Sequence, residues 1–401
     1  MPAAFLYYIA SRFCAGTAMM MLRAAVAWHV FELSHSAFQL GLLGLVQFAP
    51  ALTLTLVGGA VADSYDRRRV MMTAQAVALA AGACVFVVTA RGAVSLAHLY
   101  AVVVVAAAAM AFDNPSRAAL LPQLGPVEFF PRAVTIASTN QALAFMTGPA
   151  LAGMLISTAG IEATYAVYAL LVLVSIVALA RVRPGYAPRD PRRAMSMRAV
   201  KEGLRFLRSR QVLLGCMTLD MFAVIFGGAT ALLPIYAKEI LHVGPRGYGL
   251  LSSSLELGAL LSSIALMVLP PVKHAGRALL TAVAFYGMAT IVFGLARSFP
   301  LALVAYMCVG VADQVSVVMR HTAIQLATPD ELRGRVSAVS FIFISASNQL
   351  GAAESGFVAA LTSAPFAVVS GGVGCLLVLV WVTWRMPELR RYTVGAAATR
   401  S

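Results

Sequence analysis

Long apolar runs, separated by short polar segments, dominate the hydrophobic pattern of this chain. A helix needs about 20 apolar residues to cross a bilayer, and twelve of these runs are about that long or longer. The pattern therefore predicts an all-α membrane protein with twelve transmembrane helices. The predicted spans are residues 5–32, 37–62, 69–90, 95–116, 132–158, 161–181, 211–237, 247–270, 278–296, 300–319, 335–361 and 366–385.

Composition and charge distribution agree with this prediction. Hydrophobic residues fill 60% of the 401 positions and charged residues only 11%, whereas a soluble domain carries about 25% charged residues. Of the 30 Lys and Arg, 24 lie in the even-numbered connections and the C-terminal segment, and four lie on the opposite face. By the positive-inside rule, this bias predicts cytoplasmic N- and C-termini. The net charge of +14 thus reflects topology, and we expect no nucleic-acid partner.

One long connection, residues 182–210, divides the chain into two predicted six-span bundles, 1–181 and 211–401. Apolar residues recur within it at helical spacing, with arginines and a lysine between them. This pattern predicts an amphipathic helix at the cytoplasmic membrane surface. A flexible tether is the alternative. The apolar positions are Met197, Val200, Leu204 and Leu207.

The two predicted halves also share residues at a constant offset, which indicates an internal duplication. A second, slightly shifted register relates residues 40–43 to residues 248–251. Duplicated six-helix halves are typical of alternating-access transporters, whose substrate site lies near the midplane between the halves. At an offset of 203 residues, Arg117, Pro126, Arg132, Gly148 and Gly153 match Arg320, Pro329, Arg335, Gly351 and Gly356.

A charged segment between the second and third spans contains Gly59, Asp63, Arg67, Arg68 and Arg69. It resembles the loop signature of the major facilitator superfamily (MFS). The resemblance implies that Gly59 allows close helix approach and that Asp63 caps the third helix and pairs across the half-bundle interface. It also implies that the arginines face the cytoplasmic head groups. A simple charge cluster that sets topology is the alternative.

Three further segments strengthen the resemblance. Gly148 and Pro149 begin a segment similar to the Gly-Pro motif on the fifth helix of MFS antiporters, which favours export; an ordinary packing kink is the alternative. Residues 112–122 and 329–335 resemble the exporter subfamily that contains the bacterial enterobactin exporter.

Charged residues at the ends of these segments are further gating candidates. Asp113 and Arg117 are four residues apart on one helix face, so we expect them to pair, either structurally or as part of a gate. The repeat adds Arg320, the counterpart of Arg117, and Arg335, the counterpart of Arg132, to the gating candidates.

Ionisable residues inside spans are costly, so each is a candidate for function. We predict that Arg23 attracts an anionic group of the substrate or forms a static pair with Asp220. Asp220 and Glu256 are predicted proton carriers. The remaining candidates are Asp313 and Glu354 for protons or buried hydrogen bonds, and Arg12, Trp28 and Phe222 for the substrate.

Enzyme, metal and cofactor chemistry find no support in the sequence. No phosphate-binding loop of the Gly-x-x-x-x-Gly-Lys-[Ser/Thr] type occurs, so ATP is not the expected energy source. His29, Glu32 and His35 supply too few ligands for a metal, and we interpret the histidines as surface residues, with a metal or pH-sensing role as the alternative.

The sequence thus predicts a monomeric MFS protein of the bacterial cytoplasmic membrane, in contact with lipid. It would export an amphipathic small organic molecule, such as a siderophore or drug, in exchange for protons. Uptake by proton symport is one alternative, and a lipid flippase or membrane sensor on the same scaffold is another.

Overall fold

The computed structural model describes residues 1–183, 202, 204–208, 210–270 and 272–393. These residues are almost entirely helical, and none of those described forms a strand. The predicted all-α fold class is confirmed. Two apolar positions of the predicted linker helix, Met197 and Val200, lie outside the described residues.

Twelve labelled helices and several shorter turns make up the described chain. The short elements are the 3-10 turns Leu121–Gln123, Val127–Phe129 and Ala229–Leu232, the α-turn Leu233–Ile235 and the π-turn Tyr236–Ile240. The labelled helices are α1 Ala3–Ser34, α2 Ala37–Ser64, α3 Arg67–Ala90, α4 Leu96–Leu120, α5 Phe130–Ala180, α6 Gln211–Phe226, α7 Gly244–Val268, α8 Ala275–Leu295, α9 Phe299–Ala327, α10 Asp330–Leu361, α11 Ala364–Arg385 and α12 Pro387–Arg391.

Helix α5 reverses direction at Gly160, where φ is +87°. A positive φ of this kind favours glycine, which has no Cβ to clash with the backbone. Before the reversal, successive positions of α5 contact α1 in ascending order, from Arg12 against Ala137 to Met20 against Gly148. After it, the order descends, because His29 contacts Tyr165 and Ser11 contacts Ser175. Helix α5 therefore consists of two antiparallel segments, separated near the predicted boundary between the fifth and sixth spans.

Ten segments of the described chain are long and apolar enough to cross a membrane. One of them, Val127–Ala180, contains the reversal at Gly160. Helix α10 is 32 residues long but is not among the ten. The chain is thus a multi-pass membrane protein, and the count of twelve spans stays a prediction.

The chain packs as two compact units. Unit 1 comprises Met1–His35, Val46–Ala194 and Val243–Ser253. Unit 2 comprises Ser36–Leu45, Met195–His242 and Ser254–Ser401. Each unit has its own buried core, so the side chains of interest are positioned within one unit or the other.

The core of unit 1 forms where α1 packs along both segments of α5. Aromatic side chains fill it, and their hydroxyls reach backbone carbonyls: the Tyr168 hydroxyl donates to the Ala78 carbonyl oxygen at 3.2 Å. Phe5, Tyr8 and Met71 are fully buried in the same region. Buried tyrosines whose polar tips are satisfied in this way hold α1, α3, α4 and α5 together.

The core of unit 2 contains a second cluster that includes the end of the long connection. Residues 204–208 are helical, and Leu207 is buried against Leu213 and Val336. Arg205 and Arg208 are exposed. The apolar face of this segment is therefore covered by the protein's own core in unit 2.

Candidate functional site

The close helix approach in the loop signature occurs at Gly58 and not at Gly59. A Cβ added to Gly58 would collide with the carbonyl oxygen of Ala111 and lie 3.2 Å from the Cα of Phe112 on α4. A Cβ added to Gly59 would meet no atom within 4 Å. The prediction for Gly59 is wrong by one residue, because it depended on which side of α2 faces α4.

The residue that caps α3 is Asp66 and not Asp63. The Asp66 side chain accepts a hydrogen bond from the backbone N–H of Arg69 at 3.2 Å, as an N-cap residue does. Asp63 lies in the last turn of α2 and is exposed. Because α3 begins at Arg67, Asp63 is too far from the helix start for the predicted capping role.

Arg68 has a hydrogen-bond partner within the protein, and its predicted position at the head groups stays a prediction. Its Nη2 atom donates to the carbonyl oxygen of Ala180, the last residue of α5. A cation at a helix C-terminus satisfies an unpaired carbonyl and interacts favourably with the helix dipole. Arg68 therefore joins the start of α3 to the end of α5, while Arg69 is exposed.

Replacing Gly58 by alanine should destabilise the protein, because the new Cβ overlaps backbone atoms of α4. We expect a loss of about 1–3 kcal/mol in the free energy of unfolding, which is typical of overpacking. Thermal unfolding of the detergent-purified protein measures this. Gly59→Ala is the matched control and should leave the melting temperature unchanged; equal effects of the two substitutions would contradict the assignment.

Removing the Asp66 cap should weaken the start of α3. Asp66→Ala should cost about 1 kcal/mol, the usual effect of losing a capping side chain. Asp63→Ala, in the same short connection, should leave stability within about 0.5 kcal/mol of the parent. The comparison uses the same unfolding measurement, and a larger loss from Asp63→Ala would refute the capping assignment.

A buried ion pair lies at the centre of the polar network of unit 1. The Nε and Nη2 atoms of Arg117 donate to the two carboxylate oxygens of Asp113 at 2.8 and 3.2 Å. Gln75 on α3 donates to Asp113 at 2.9 Å and accepts from Ser175 at 2.8 Å. The pairing predicted from the four-residue spacing is confirmed. The network ties α3, α4 and the second segment of α5 together.

Arg12 also forms hydrogen bonds within unit 1. It donates to the carbonyl oxygen of Ala137 at 3.2 Å, to the Tyr8 hydroxyl at 3.3 Å and to the Gln141 side chain. These bonds join α1 to the first segment of α5. A substrate contact by Arg12 stays a prediction.

The other substrate candidates of α1 differ in exposure. Arg23 is exposed, whereas Trp28 is buried with its ring 5.5 Å from that of Tyr248. The Tyr248 hydroxyl donates to the Ala24 carbonyl oxygen at 3.2 Å. His29, interpreted as a surface residue, is buried and hydrogen-bonded to Tyr165 at 3.0 Å, so that interpretation is wrong.

In unit 2, Asp220 on α6 forms a buried ion pair with Arg320 on α9. The side chains are only 8% and 2% exposed. Sequence reasoning assigned Arg23 as the candidate partner of Asp220 and did not consider Arg320. The signal was available: Arg320 is the repeat counterpart of Arg117, and a buried guanidinium requires an acid.

The remaining acidic candidates lie on three other helices of unit 2. Glu256 is on α7, Asp313 on α9 and Glu354 on α10, and all three are partly buried. Glu354 accepts a hydrogen bond from Ser355 at 3.3 Å. Phe222 on α6 stacks on Phe226, with ring centroids 6.0 Å apart. Four carboxylates thus lie within helices of unit 2.

Repeat-related glycines make equivalent contacts in the two units. In unit 1, a Cβ on Gly249 would lie 2.9 Å from the Cα of Gly153. In unit 2, a Cβ on Gly41 would lie 3.0 Å from the Cα of Gly356. Each unit therefore contains a repeat-related crossing in which two helix backbones touch through paired glycines. In each crossing, a glycine from the register with an offset of 203 residues (Gly153 or Gly356) contacts a glycine from the shifted register (Gly249 or Gly41).

Gly148 and its repeat counterpart Gly351 also make close contacts with the backbone of a neighbouring helix. A Cβ on Gly148 would lie 2.8 Å from the Thr17 carbonyl oxygen on α1, and one on Gly351 would lie 3.1 Å from the Cα of Ile225 on α6. Pro149 is buried within α5. The tight packing predicted for the Gly-Pro motif is present, and its gating role stays a prediction.

Arg335 differs from these buried groups. Its Nη1 atom pairs with the carboxylate of Glu202, and the two side chains are 43% and 36% exposed. Exposed pairs contribute little to stability. Within the described residues, no group of three His, Cys, Asp or Glu side chains is arranged to hold a metal ion.

Comparison with known proteins identifies the family. Residues 3–398 match the family model described as a transmembrane secretion effector, a branch of the MFS. The chain belongs to this family. It is 24% identical over 388 residues to the enterobactin exporter EntS of Citrobacter koseri, covering 95% of this chain and 91% of that protein. Identity to EntS of Escherichia coli O1:K1 is 23% over 388 residues, with the same coverage.

Solved structures agree on the fold. A POT family transporter in complex with 5-aminolevulinic acid superimposes with a TM-score of 0.75 at 11% identity, covering 97% of both chains. A bacterial homologue of the human lysosomal transporter Spinster gives 0.71 at 15% identity, covering 97% of this chain and 96% of that one. The protein is thus a membrane transporter and not an enzyme.

Neutralising Asp113 should destabilise unit 1, because Asp113→Asn leaves Arg117 buried without its counterion. Breaking a buried pair in this way costs about 3–5 kcal/mol. Thermal unfolding and the yield of folded protein in membranes measure the effect. Glu202→Gln, which removes the acid of the exposed Arg335 pair, is the control and should change stability by less than about 1 kcal/mol.

Proposed function

We propose that this transporter exports an amphipathic small organic molecule of the siderophore class across the bacterial cytoplasmic membrane in exchange for protons. The match to enterobactin exporters over 95% of this chain supports the direction and the substrate class. The charge distribution of the sequence supports cytoplasmic termini.

The proposed proton coupling rests on the acidic residues in the helices of unit 2. Asp220, Glu256 and Asp313 lie within helices that are long and apolar enough to cross a membrane, and Glu354 lies within α10. Burial disfavours the charged form of a carboxyl group, and a nearby arginine favours it. A carboxylate held between these influences can gain and lose a proton during each transport cycle.

The proposed cycle is alternating access, with Asp220 and Glu256 as the principal proton carriers. Arg23, which is exposed on α1, supplies a positive charge for an anionic group of the substrate. Gly148 and Pro149 of the fifth-span motif support antiport, because the motif is similar to that of MFS antiporters. The glycine crossings supply helix contacts that can separate and reform without rearranging large side chains.

Everted membrane vesicles test this proposal with enterobactin as the probe. We expect enterobactin to accumulate in vesicles that contain the wild-type protein and are acidic inside, with proton release to the outside as the substrate enters. Glu256→Gln should abolish accumulation driven by the pH gradient without lowering the amount of folded protein. Glu239→Gln, an exposed carboxylate outside the proposed machinery, is the matched control and should transport normally.

The direction of proton movement separates the alternatives. Protons that move in the same direction as the probe would establish symport and refute export by antiport. Binding of enterobactin without any flux would refute a transport role for this substrate.

A further inference from the structure

The two halves of the chain place a buried arginine at equivalent positions but give it an acid from different helices. Arg117 on α4 and Arg320 on α9 are 203 residues apart and both are buried. Asp113 lies one turn before Arg117 on the same helix, whereas Asp220 reaches Arg320 from α6. The acid has therefore changed helices between the halves.

The second half has no acid at the position equivalent to Asp113. The residue 203 positions after Asp113 is Ser316, which is buried and carries no charge. Each of the two buried arginines thus has one acidic partner, on its own helix in the first half and on another helix in the second.

The two ion pairs respond differently to movement between helices. The Asp113–Arg117 pair lies within a single helix and is held further by Gln75, so sliding or tilting of α4 leaves its length unchanged. The Asp220–Arg320 pair joins α6 to α9, so relative movement of these helices must stretch or break it. Helix α6 also ends at Phe226, before Gly227 and Gly228.

We infer that Arg320 and the transported proton compete for Asp220, which makes the α6–α9 pair the coupling element and the Asp113–Arg117 pair a fixed support. This inference rests on the proposed proton coupling. A proton that binds a carboxylate oxygen of Asp220 gives a neutral acid, while Arg320 keeps its own charge because a guanidinium does not deprotonate in proteins. The attraction between α6 and α9 is then lost, and it returns when the proton leaves.

Other titratable groups surround this pair in unit 2. Cys216 and His321 interact electrostatically with Arg320. The arginines at the end of α11 and in α12 are exposed. Asp220 is the carboxylate in direct contact with the guanidinium. The titratable side chains on the surrounding elements include Tyr286 on α8, Asp313 and His321 on α9, Glu354 and Arg335 on α10, Cys375 on α11 and Tyr392 after α12.

Moving the acid within unit 2 tests the inference. The double variant Asp220→Asn with Ser316→Asp places a carboxylate four residues before Arg320 on its own helix, as in the first half of the chain. It should restore the stability that Asp220→Asn alone loses. A purely structural pair would then support normal coupled transport, whereas a coupling element would not.

Proteoliposomes with enterobactin as the probe provide the measurement. A gradient of one pH unit can drive up to about tenfold accumulation per exchanged proton. We expect such accumulation for the wild type and none above the starting concentration for the double variant, which should still exchange labelled enterobactin across the membrane without a gradient. Glu239→Gln should match the wild type.

Gradient-driven accumulation at the wild-type level in the double variant would overturn the inference and leave the proposed function intact. A wild-type protein that ignores the gradient would overturn the proposed proton coupling, and this inference with it. The two failures are therefore distinguishable.

Hydrogen–deuterium exchange of the wild-type protein gives a second test that does not depend on the variant folding. After correction for the slower intrinsic amide exchange at low pH, lowering the pH from 8 to 5 should reduce the protection of peptides from α6 and α9. Peptides from α4, which contains Asp113 and Arg117, should change less. A response in α4 without one in α6 and α9 would overturn the inference.

Discussion

A charge buried in a membrane protein requires a counter-charge, and this requirement organises both units. The energetic cost of an unpaired guanidinium in an apolar environment is several kcal/mol, which exceeds the contribution of most single contacts. Arg117 meets the requirement with Asp113, and Arg320 meets it with Asp220. In unit 1 the acid brings Gln75 and Ser175 into a network that joins three helices. In unit 2 it joins α6 directly to α9.

Close packing through glycine supplies the second organising element. Lipid tails are as apolar as leucine, so helices in a membrane associate through fit and not through exclusion of water. The Gly153 and Gly249 contact of unit 1 corresponds to the Gly356 and Gly41 contact of unit 2. Preservation of the same crossing in both units shows that the duplication extends from sequence to tertiary contact.

Much of this architecture could be predicted from the sequence, and the failures have a common physical cause. Apolar run length predicts spans, and the four-residue spacing of Asp113 and Arg117 predicts their pair, because both depend on local geometry. The rotation of a helix about its own axis depends on its neighbours, so the sequence predicts close approach at Gly59 although Gly58 makes the contact. Pairing between distant helices, as for Asp220 and Arg320, likewise requires the tertiary fold.

The reversal at Gly160 has a consequence for biogenesis. Only one residue, Gly160, separates the two antiparallel segments of α5. No loop therefore connects them that would let one segment cross the membrane before the other. We therefore expect the two segments to enter the bilayer together as a helical hairpin. The same geometry leaves no site at this turn where a tag or reporter domain could be inserted without separating the pair.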